Sequence, residues 1–341
     1  MISQVLQDTL AGRDPQPKAL EAALEAMLRG ETDDAQTAGL LVALATRPVS
    51  GALLAAGARA MRAHCVSIQP ELRPLVDTCG TGGDGASTFN VSTATAFVLA
   101  SAGVGVAKHG NRAVSSKVGS ADVLEELGCR IELSAEAARD LLDATGFVFL
   151  HAPSFHPAMR HVAGVRRSLG VRTLFNLLGP LSNPAQAECQ LLGVYDPALI
   201  QPMAEALREL GVKAALVVHC EGTDEIGLHG ATVGLRLADG ELEPFRLTPE
   251  DVHLERAPIE ALRGGDRRRN AELLRAALSG APGPHADVVA LNAGAALHVA
   301  GLTSSVLVGV EEALALMSSG RAERALERYV ESSHAAVEVT A

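Results

Sequence analysis

From Pro74 onward the chain alternates between two kinds of segment, and this alternation limits its fold more than any other feature. Short apolar runs at 75–78, 104–108, 147–151, 190–195 and 214–219 have the length and boundaries of strands. Amphipathic stretches at 92–102, 120–127, 135–145, 159–169 and 197–210 fall between them and read as helices. Strand–helix alternation of this kind predicts an α/β fold in which a mainly parallel sheet is covered by helices. Asp239-Gly240, set between VGLRLA and ELEPFRL, predicts a hairpin. From about Arg268 the chain reads as helical again, with a tightly packed Ala- and Gly-rich helix near 291–301.

Residues 1 to about 68 carry no strand signal. Leu6 and Leu10 share a helical face, and Pro17 is placed to open a second helix in which Leu20, Leu24, Met27 and Leu28 recur at helical spacing. Asp33 with Gln36 forms a capping-box pattern ahead of AGLLVALAT, and Ser50 is placed to cap GALLAAGARAMRAH. Four short helices in a small bundle are expected, with Pro70 and Pro74 marking the exit.

Hydrophobic residues at 48% and charged residues at 20% support a sizeable core. Aromatics are only 3%, Trp is absent and the net charge is -11, which argues against binding an extended nucleic acid. Five scattered cysteines without a CxxC pair argue against a disulfide framework or zinc site and for a reducing compartment. The N-terminal MISQVLQDTLAGRDP lacks the basic and apolar regions of a signal peptide, and no apolar run is long enough to span a bilayer. The expected location is the cytoplasm.

The polar motifs follow the strands. Residues 77–85 follow the first, 109–112 the second, 151–156 the third, and 221–225 follow AALVVHC. In an open parallel sheet such loops share one edge, beyond the carboxyl ends of the strands, where ligands bind. The first motif is a glycine-rich loop, Gly80-Thr81-Gly82-Gly83-Asp84-Gly85, followed by the hydroxyls of Ser87, Thr88, Ser92, Thr93 and Thr95. The second is a basic turn, Lys108-His109-Gly110-Asn111-Arg112, followed by Ser115, Ser116, Lys117 and Ser120. No Asp or Glu occurs from Gly85 to Ala121, so the stretch reads as a local positive island suited to a ligand with several phosphates.

Gly80-x-Gly82-x-x-Gly85 matches the dinucleotide fingerprint only formally, because the acidic residue expected about 20 positions on is missing. A P-loop is excluded by Ala86, which stands where Lys is needed. Asp224-Glu225 taken alone reads as an exposed turn. Beside a polyphosphate site it reads as a Mg²⁺ site, since Mg²⁺ is held by one or two carboxylates plus substrate phosphates. Asp84 is a second acidic group near those phosphates. His109 and His156, each in isolation, are more often structural than catalytic. Arg166, Arg167 and Arg172 precede an apolar Gly/Pro wall at 174–184, where an Arg suits a carboxylate and salt bridges account for others.

Together these residues resemble the anthranilate phosphoribosyltransferase family. The matching segments are DTCGTGGDGASTFNVST, KHGNRAVSSKVGSADVLEELG, HPAMRHVAGVRRSLGVRTLFNLLGPLSNPA and the Asp224-Glu225 pair, with the helical N-terminal part. The resemblance implies transfer of a phosphoribosyl group from phosphoribosyl pyrophosphate (PRPP) to the amine of anthranilate, in tryptophan biosynthesis. It also implies Mg²⁺ dependence and a homodimer formed through the helical domain. The division it implies is a helical domain at 1–70, joined by helices near 159–182, and an α/β phosphoribosyltransferase domain at 71–341.

Carried onto this chain, the resemblance assigns PRPP to Gly80, Gly83, Asp84, Thr88, Asn90, Val91, Ser92 and Thr93. It adds Lys108, His109, Gly110, Asn111, Arg112, Ala113, Val114, Ser115, Ser116 and Ser120. Ser92, Asp224 and Glu225 would hold Mg²⁺. Gly80, Asn111 and Arg166 would contact anthranilate, with His109 and His156 nearby. Ala113 and Val118 each stand where the family commonly has Ser, and the flank from Ile226 to His229 is also atypical. No catalytic base is assigned, because an aromatic amine is already unprotonated at neutral pH. The rival readings are a pyrimidine nucleoside phosphorylase, a nicotinamide dehydrogenase and a non-catalytic nucleic-acid-binding relative.

Overall fold

A computed structural model describes residues 2–113 and 117–338. The N-terminal part forms four helices: α1 (Ile2–Leu10), α2 (Pro17–Leu28), α3 (Asp34–Ala45) and α4 (Gly51–Ala63). Their starts follow from local chemistry. Pro17 occupies the first turn of α2, where its missing N–H costs nothing. Asp33 Oδ1 accepts the Gln36 N–H at 2.7 Å, and Gln36 Oε1 accepts the Asp33 N–H, closing the expected capping box on α3. Ser50 Oγ accepts the Leu53 N–H and caps α4.

The α/β part begins with β1 (Leu75–Gly80), α5 (Val91–Ser101), β2 (Gly105–Gly110), α6 (Ser120–Glu126), α7 (Ala135–Thr145) and β3 (Phe147–His151). The short helix α8 (Ala152–Phe155), then α9 (Arg160–Leu169) and α10 (Phe175–Leu178), lead to β4 (Cys189–Gly193). α11 (Ile200–Glu209) connects to β5 (Ala214–Cys220), and β6 (Thr232–Ala238) with β7 (Glu241–Leu247) forms the hairpin. Four helices close the chain: α12 (Arg267–Leu278), α13 (Pro284–Val299), α14 (Val306–Ser318) and α15 (Arg321–Glu338).

The seven strands form one sheet in the order β3-β2-β1-β4-β5-β6-β7. The first five are mutually parallel, and β6 and β7 add antiparallel to β5. The hairpin turns at Asp239 and Gly240, both at positive φ (51° and 82°), as a tight two-residue turn needs.

Side-chain alternation along the strands feeds two hydrophobic cores, one on each face of the sheet. Leu191, Leu216 and Val218 face a core shared with α5, α6, α7 and α12 to α15. Leu192, Ala215 and Val217 face a core shared with α1 to α4, α10 and α11. Val162, Phe175, Leu178 and Leu181 belong to this second core, so the segment around α9 and α10 packs with the N-terminal helices.

Two devices hold the first core. α13 crosses α14 at Gly294 and Gly309, where a Cβ on either glycine would overlap the other helix's backbone. α15 covers the free edge of β3: Tyr329 is fully buried, its ring meets Phe147 edge-on at 4.6 Å, and its hydroxyl accepts the Phe149 N–H at 3.2 Å.

Candidate active site

The strand order places β2 and β3 on one side of β1, and β4 and β5 on the other. The carboxyl ends of β1 and β4 therefore flank the topological switch point, where open α/β sheets bind ligands. Gly80 and Gly193, the last residues of these strands, are in register there. Thr81 N–H donates to Gly193 O at 3.0 Å, so the glycine-rich loop leaves directly from the crevice.

The loop after β5 lies across this crevice. A Cβ on Gly193 would overlap the Asp224 carbonyl, and one on Gly80 would overlap the Asp224 carboxylate. Glycine at both strand ends is thus the condition for seating Asp224. Gly82 N–H donates to Asp224 Oδ2 at 2.6 Å and joins the glycine-rich loop to the acidic pair.

Beneath them lies Lys108, only 2% exposed. Its Nζ donates to the Thr78 carbonyl and, at 3.1 Å, to Ser92 Oγ. Glu225 is half-buried, its carboxylate set against the Ser92 amide at the start of α5, within the attraction of Lys108. Ser92, Lys108 and the adjacent Asp224 and Glu225 come from three distant segments and meet here.

The electrostatics of this cluster are unbalanced. Burial, then repulsion from Asp84, pushes Asp224 up to about 7. Burial, then Asp224, pushes Glu225 up to about 8. Asp77, also buried, is raised to about 6 against the opposing pull of Lys108 and a 2.8 Å hydrogen bond from Asn183 Nδ2. Lys108 faces more carboxylates than one cation neutralises. Among the described residues no group of three or more His, Cys, Asp or Glu is disposed to hold a metal by itself. Two carboxylates and a hydroxyl with too little positive charge nearby fit a hard cation that takes its remaining ligands from a bound phosphate.

The positive island expected from the sequence is not acid-free in space. Arg112 pairs with Glu125 at 2.7 Å and lies 3.5 Å from Asp122, both on the following helix α6. Arg267 also pairs with Asp122, at 2.7 Å. Asp122 Oδ2 accepts the N–H groups of both Ala113 and Gly119 at 2.9 Å, tying the residue just after the basic turn to the start of α6. Val114, Ser115 and Ser116 lie outside the described residues. Gly110 is closely approached by the Ser120 hydroxyl, which donates to Asn111 O at 3.3 Å.

Thr88 and Asn90 are tied elsewhere. The Thr88 backbone makes an isolated β-bridge with Arg263, Asn90 Nδ2 donates to Val118 O at 3.2 Å, and Asn90 Oδ1 accepts from Asn270 Nδ2 at 2.9 Å. The side chains of Val91 and Thr93 are packed in the interior, so at these positions only the backbone of the α5 start faces outward chemistry.

A second set of groups surrounds His109. His109 and His156 face each other with ring centroids 4.9 Å apart. His109 Nδ1 is 3.1 Å from Gly179 O. A carbonyl only accepts, so Nδ1 carries the proton and Nε2 presents a lone pair. His109 Nε2, His156 Nε2 and Ser182 Oγ are buried without a hydrogen-bond partner. Burial, with the neighbouring His156, lowers His109 to about 3, and burial lowers His156 to about 4. Both rings are neutral at physiological pH.

Arg166 on α9 lies half-buried over the Phe175 ring at 5.5 Å, and among the described residues it makes no ion pair. Arg172 instead lies 3.9 Å over Tyr195 and donates to Gly83 O. The wall at 175–182 thus touches Arg166 through Phe175 and His109 through Gly179.

Three contributors escaped the sequence reading. Asp77 was signalled only by being a charged residue inside the apolar run LVDTCG. Asn183, whose Nδ2 also donates to Ala107 O at 2.7 Å, lay hidden in the Gly/Pro wall. The tie made by Asp122 had no linear signal.

Comparison with known proteins places the fold in a family. Residues 72–323 match the model described as "Glycosyl transferase family, a/b domain", and residues 3–65 match its "helical bundle domain". Anthranilate phosphoribosyltransferase of Symbiobacterium thermophilum is 49% identical, over 97% of this chain and 97% of its own. The chain belongs to the anthranilate phosphoribosyltransferase family. The crystal structure of the family member from Thermus thermophilus superposes with a TM-score of 0.92 at 47% identity, covering 97% of this chain and 99% of that one. The Saccharomyces cerevisiae member, solved in complex with PRPP and Mg, gives 0.89 at 27% identity over 98% of each chain. The helical domain, the mainly parallel α/β domain and the transferase class expected from the sequence are those of this family.

Proposed function

We propose that this chain transfers the phosphoribosyl group of PRPP to the amine of anthranilate, giving N-(5-phosphoribosyl)anthranilate and pyrophosphate, as a step of tryptophan biosynthesis. The observation that carries this reading is the Asp224-Glu225 pair, buried at Asp224 and half-buried at Glu225, seated across the switch point beside Ser92 and Lys108. A nucleoside phosphorylase, which takes only inorganic phosphate and a nucleoside, gives that pair no task.

Asp224, Glu225 and Ser92 Oγ hold Mg²⁺, which when bound supplies positive charge against the pyrophosphate oxygens. The amides of the glycine-rich loop and of the α5 start contact the phosphates of PRPP. Lys108 acts from below, orienting Ser92 and offsetting Glu225. Displacement at the anomeric carbon builds positive charge on the ribose and negative charge on the leaving group. Because the acceptor amine is already neutral, positioning replaces strong base catalysis. Arg166 holds the anthranilate carboxylate, and Asn111 and the His109 Nε2 lone pair face the amine.

The helical body, 1–70 with the segment near 159–182, is the surface through which two copies of the chain associate. The cysteines are free thiols, which suits a reducing cytoplasm, and no described helix is long and apolar enough to cross a membrane. Incubation with PRPP, Mg²⁺ and anthranilate should quench anthranilate fluorescence. Unchanged fluorescence, with phosphorolysis of a pyrimidine nucleoside instead, would reverse the assignment.

A further inference from the structure

Asp224 is held in front by the glycines of β1 and β4, but the peptide behind the pair is held by a residue far along the chain. Asn292 lies midway along α13 and is completely buried among Val, Ala, Leu and Gly. Its Oδ1 accepts the N–H of Ile226 at 3.1 Å. Its Nδ2 donates to the carbonyl of the same residue at 2.9 Å and to Val288 O at 2.8 Å. Both amide protons and the amide oxygen are therefore in use.

The grip on Ile226 is two-point. It takes the N–H and the C=O of the residue that follows Glu225, as a neighbouring strand would. Such a pair of bonds fixes the direction of the peptide as well as its place. Ile226 is itself completely buried, so water does not substitute. The mounting is rigid, because two residues beyond Asn292 α13 is locked against α14 at Gly294 and Gly309. Asp224 and Glu225 are thus fixed between Gly82 N–H on one side and Asn292 on the other.

We propose that Asn292 is a positioning residue for the acidic pair, setting the orientation in which Asp224 and Glu225 receive the divalent cation that accompanies PRPP. This rests on the reading of the pair as the cation site. Residues that orient metal ligands typically cost about 10–100-fold in metal affinity when removed.

The test uses Mn²⁺ as probe, with free Mn²⁺ followed by electron paramagnetic resonance in the presence of PRPP on the full-length protein. Asn292→Ala and Asn292→Leu should weaken Mn²⁺ uptake by at least about tenfold and raise the Mg²⁺ concentration for half-maximal activity in parallel. Leu297→Ala, a cavity in the same helix at a buried residue that makes no hydrogen bond to Ile226, should lower Tm without moving either quantity. Asn292→Ser, which keeps a hydroxyl, serves if the other two do not fold, and should show a smaller loss in the same direction. Wild-type Mn²⁺ uptake in the folded Asn292 variants, or an equal loss in Leu297→Ala, overturns the positioning role. Asp224→Asn and Glu225→Gln are the reference: if they too leave uptake unchanged, the cation site itself is wrong.

Discussion

Arg166 is a half-buried cation without a carboxylate partner among the described residues, resting on Phe175. Burial lowers its pKa, a cost that an anionic ligand relieves. Arg166→Ala should therefore raise the anthranilate KM, by roughly 1.5–3 kcal/mol for a lost charge-assisted bond, and leave the PRPP KM near its original value. Steady-state kinetics with the opposite pattern would remove Arg166 from the acceptor site. The acidic pair makes a different prediction, about stability. In the unfolded chain both carboxyls ionise near pH 4 (about 3.9–4.3). In the cation-free fold burial keeps Asp224 protonated up to about 7 and Glu225 up to about 8. Between those limits the native state binds more protons than the unfolded one, so stability falls as pH rises. The buried neutral His109 and His156 give the opposite slope, but only below about pH 6.5, where unfolded imidazoles take up protons. With EDTA present, Tm should therefore fall from about pH 6.5 to 8.5, and Asp224→Asn with Glu225→Gln should flatten that fall. Equal slopes in thermal scans of the two proteins would show that the pair is not its cause.

At the scale of single elements, the edge strand β3 depends on α15. β3 pairs only with β2, so the Phe149 N–H on its open side would be a bare buried donor without the Tyr329 hydroxyl. Tyr329→Phe keeps the ring contacts and removes the acceptor, so it should cost about 1–3 kcal/mol in urea unfolding with unchanged KM values. An unaltered unfolding midpoint would mean that the Phe149 N–H finds another partner. The elements themselves were largely legible in the sequence, for local reasons. α7 and β3 appear at their expected bounds because Gly146, at φ 79°, ends one and starts the other. The hairpin was legible because Asp239-Gly240 tolerates the two positive φ angles. α13 was placed too late, at 291, although Pro284 at its first turn is a start signal, because the Ala/Gly pattern reports packing and not where a helix begins. The site was legible where each motif closes a strand. It was misread where partners lie on another element: Glu125 is 13 residues from Arg112, and Asn183 is 106 from Asp77. Sequence distance conceals such pairs, since only the packing of α6 on the basic turn or of the wall on β1 brings them together.

On the scale of the whole molecule, the sheet divides the labour of the site between its two cores. α5, which begins after the glycine-rich loop, and α13, whose Asn292 holds the peptide after the acidic pair, pack on one face. The wall at 175–181 packs with the N-terminal helices on the other. Arg166 on α9, proposed for the acceptor, thus rides with the N-terminal helices, whereas the groups proposed for the phosphates ride on the sheet, and the proposed reaction needs them held together with water excluded. Arg172 spans the division. It sits between α9 and α10, stacks on Tyr195 at 3.9 Å and donates to Gly83 O in the glycine-rich loop. Being exposed, it contributes little to the stability of either body, about 0.5–1 kcal/mol for an exposed cation–π contact. Its effect should appear in coupling instead. Arg172→Ala is expected to raise PRPP hydrolysis without anthranilate, relative to phosphoribosyl transfer, because the loop is then less firmly tied to the acceptor side. Pyrophosphate release measured with and without anthranilate gives that ratio, and a thermal scan shows whether the fold is intact. If hydrolysis and transfer fall together, Arg172 serves binding of PRPP and the two bodies are joined by other contacts.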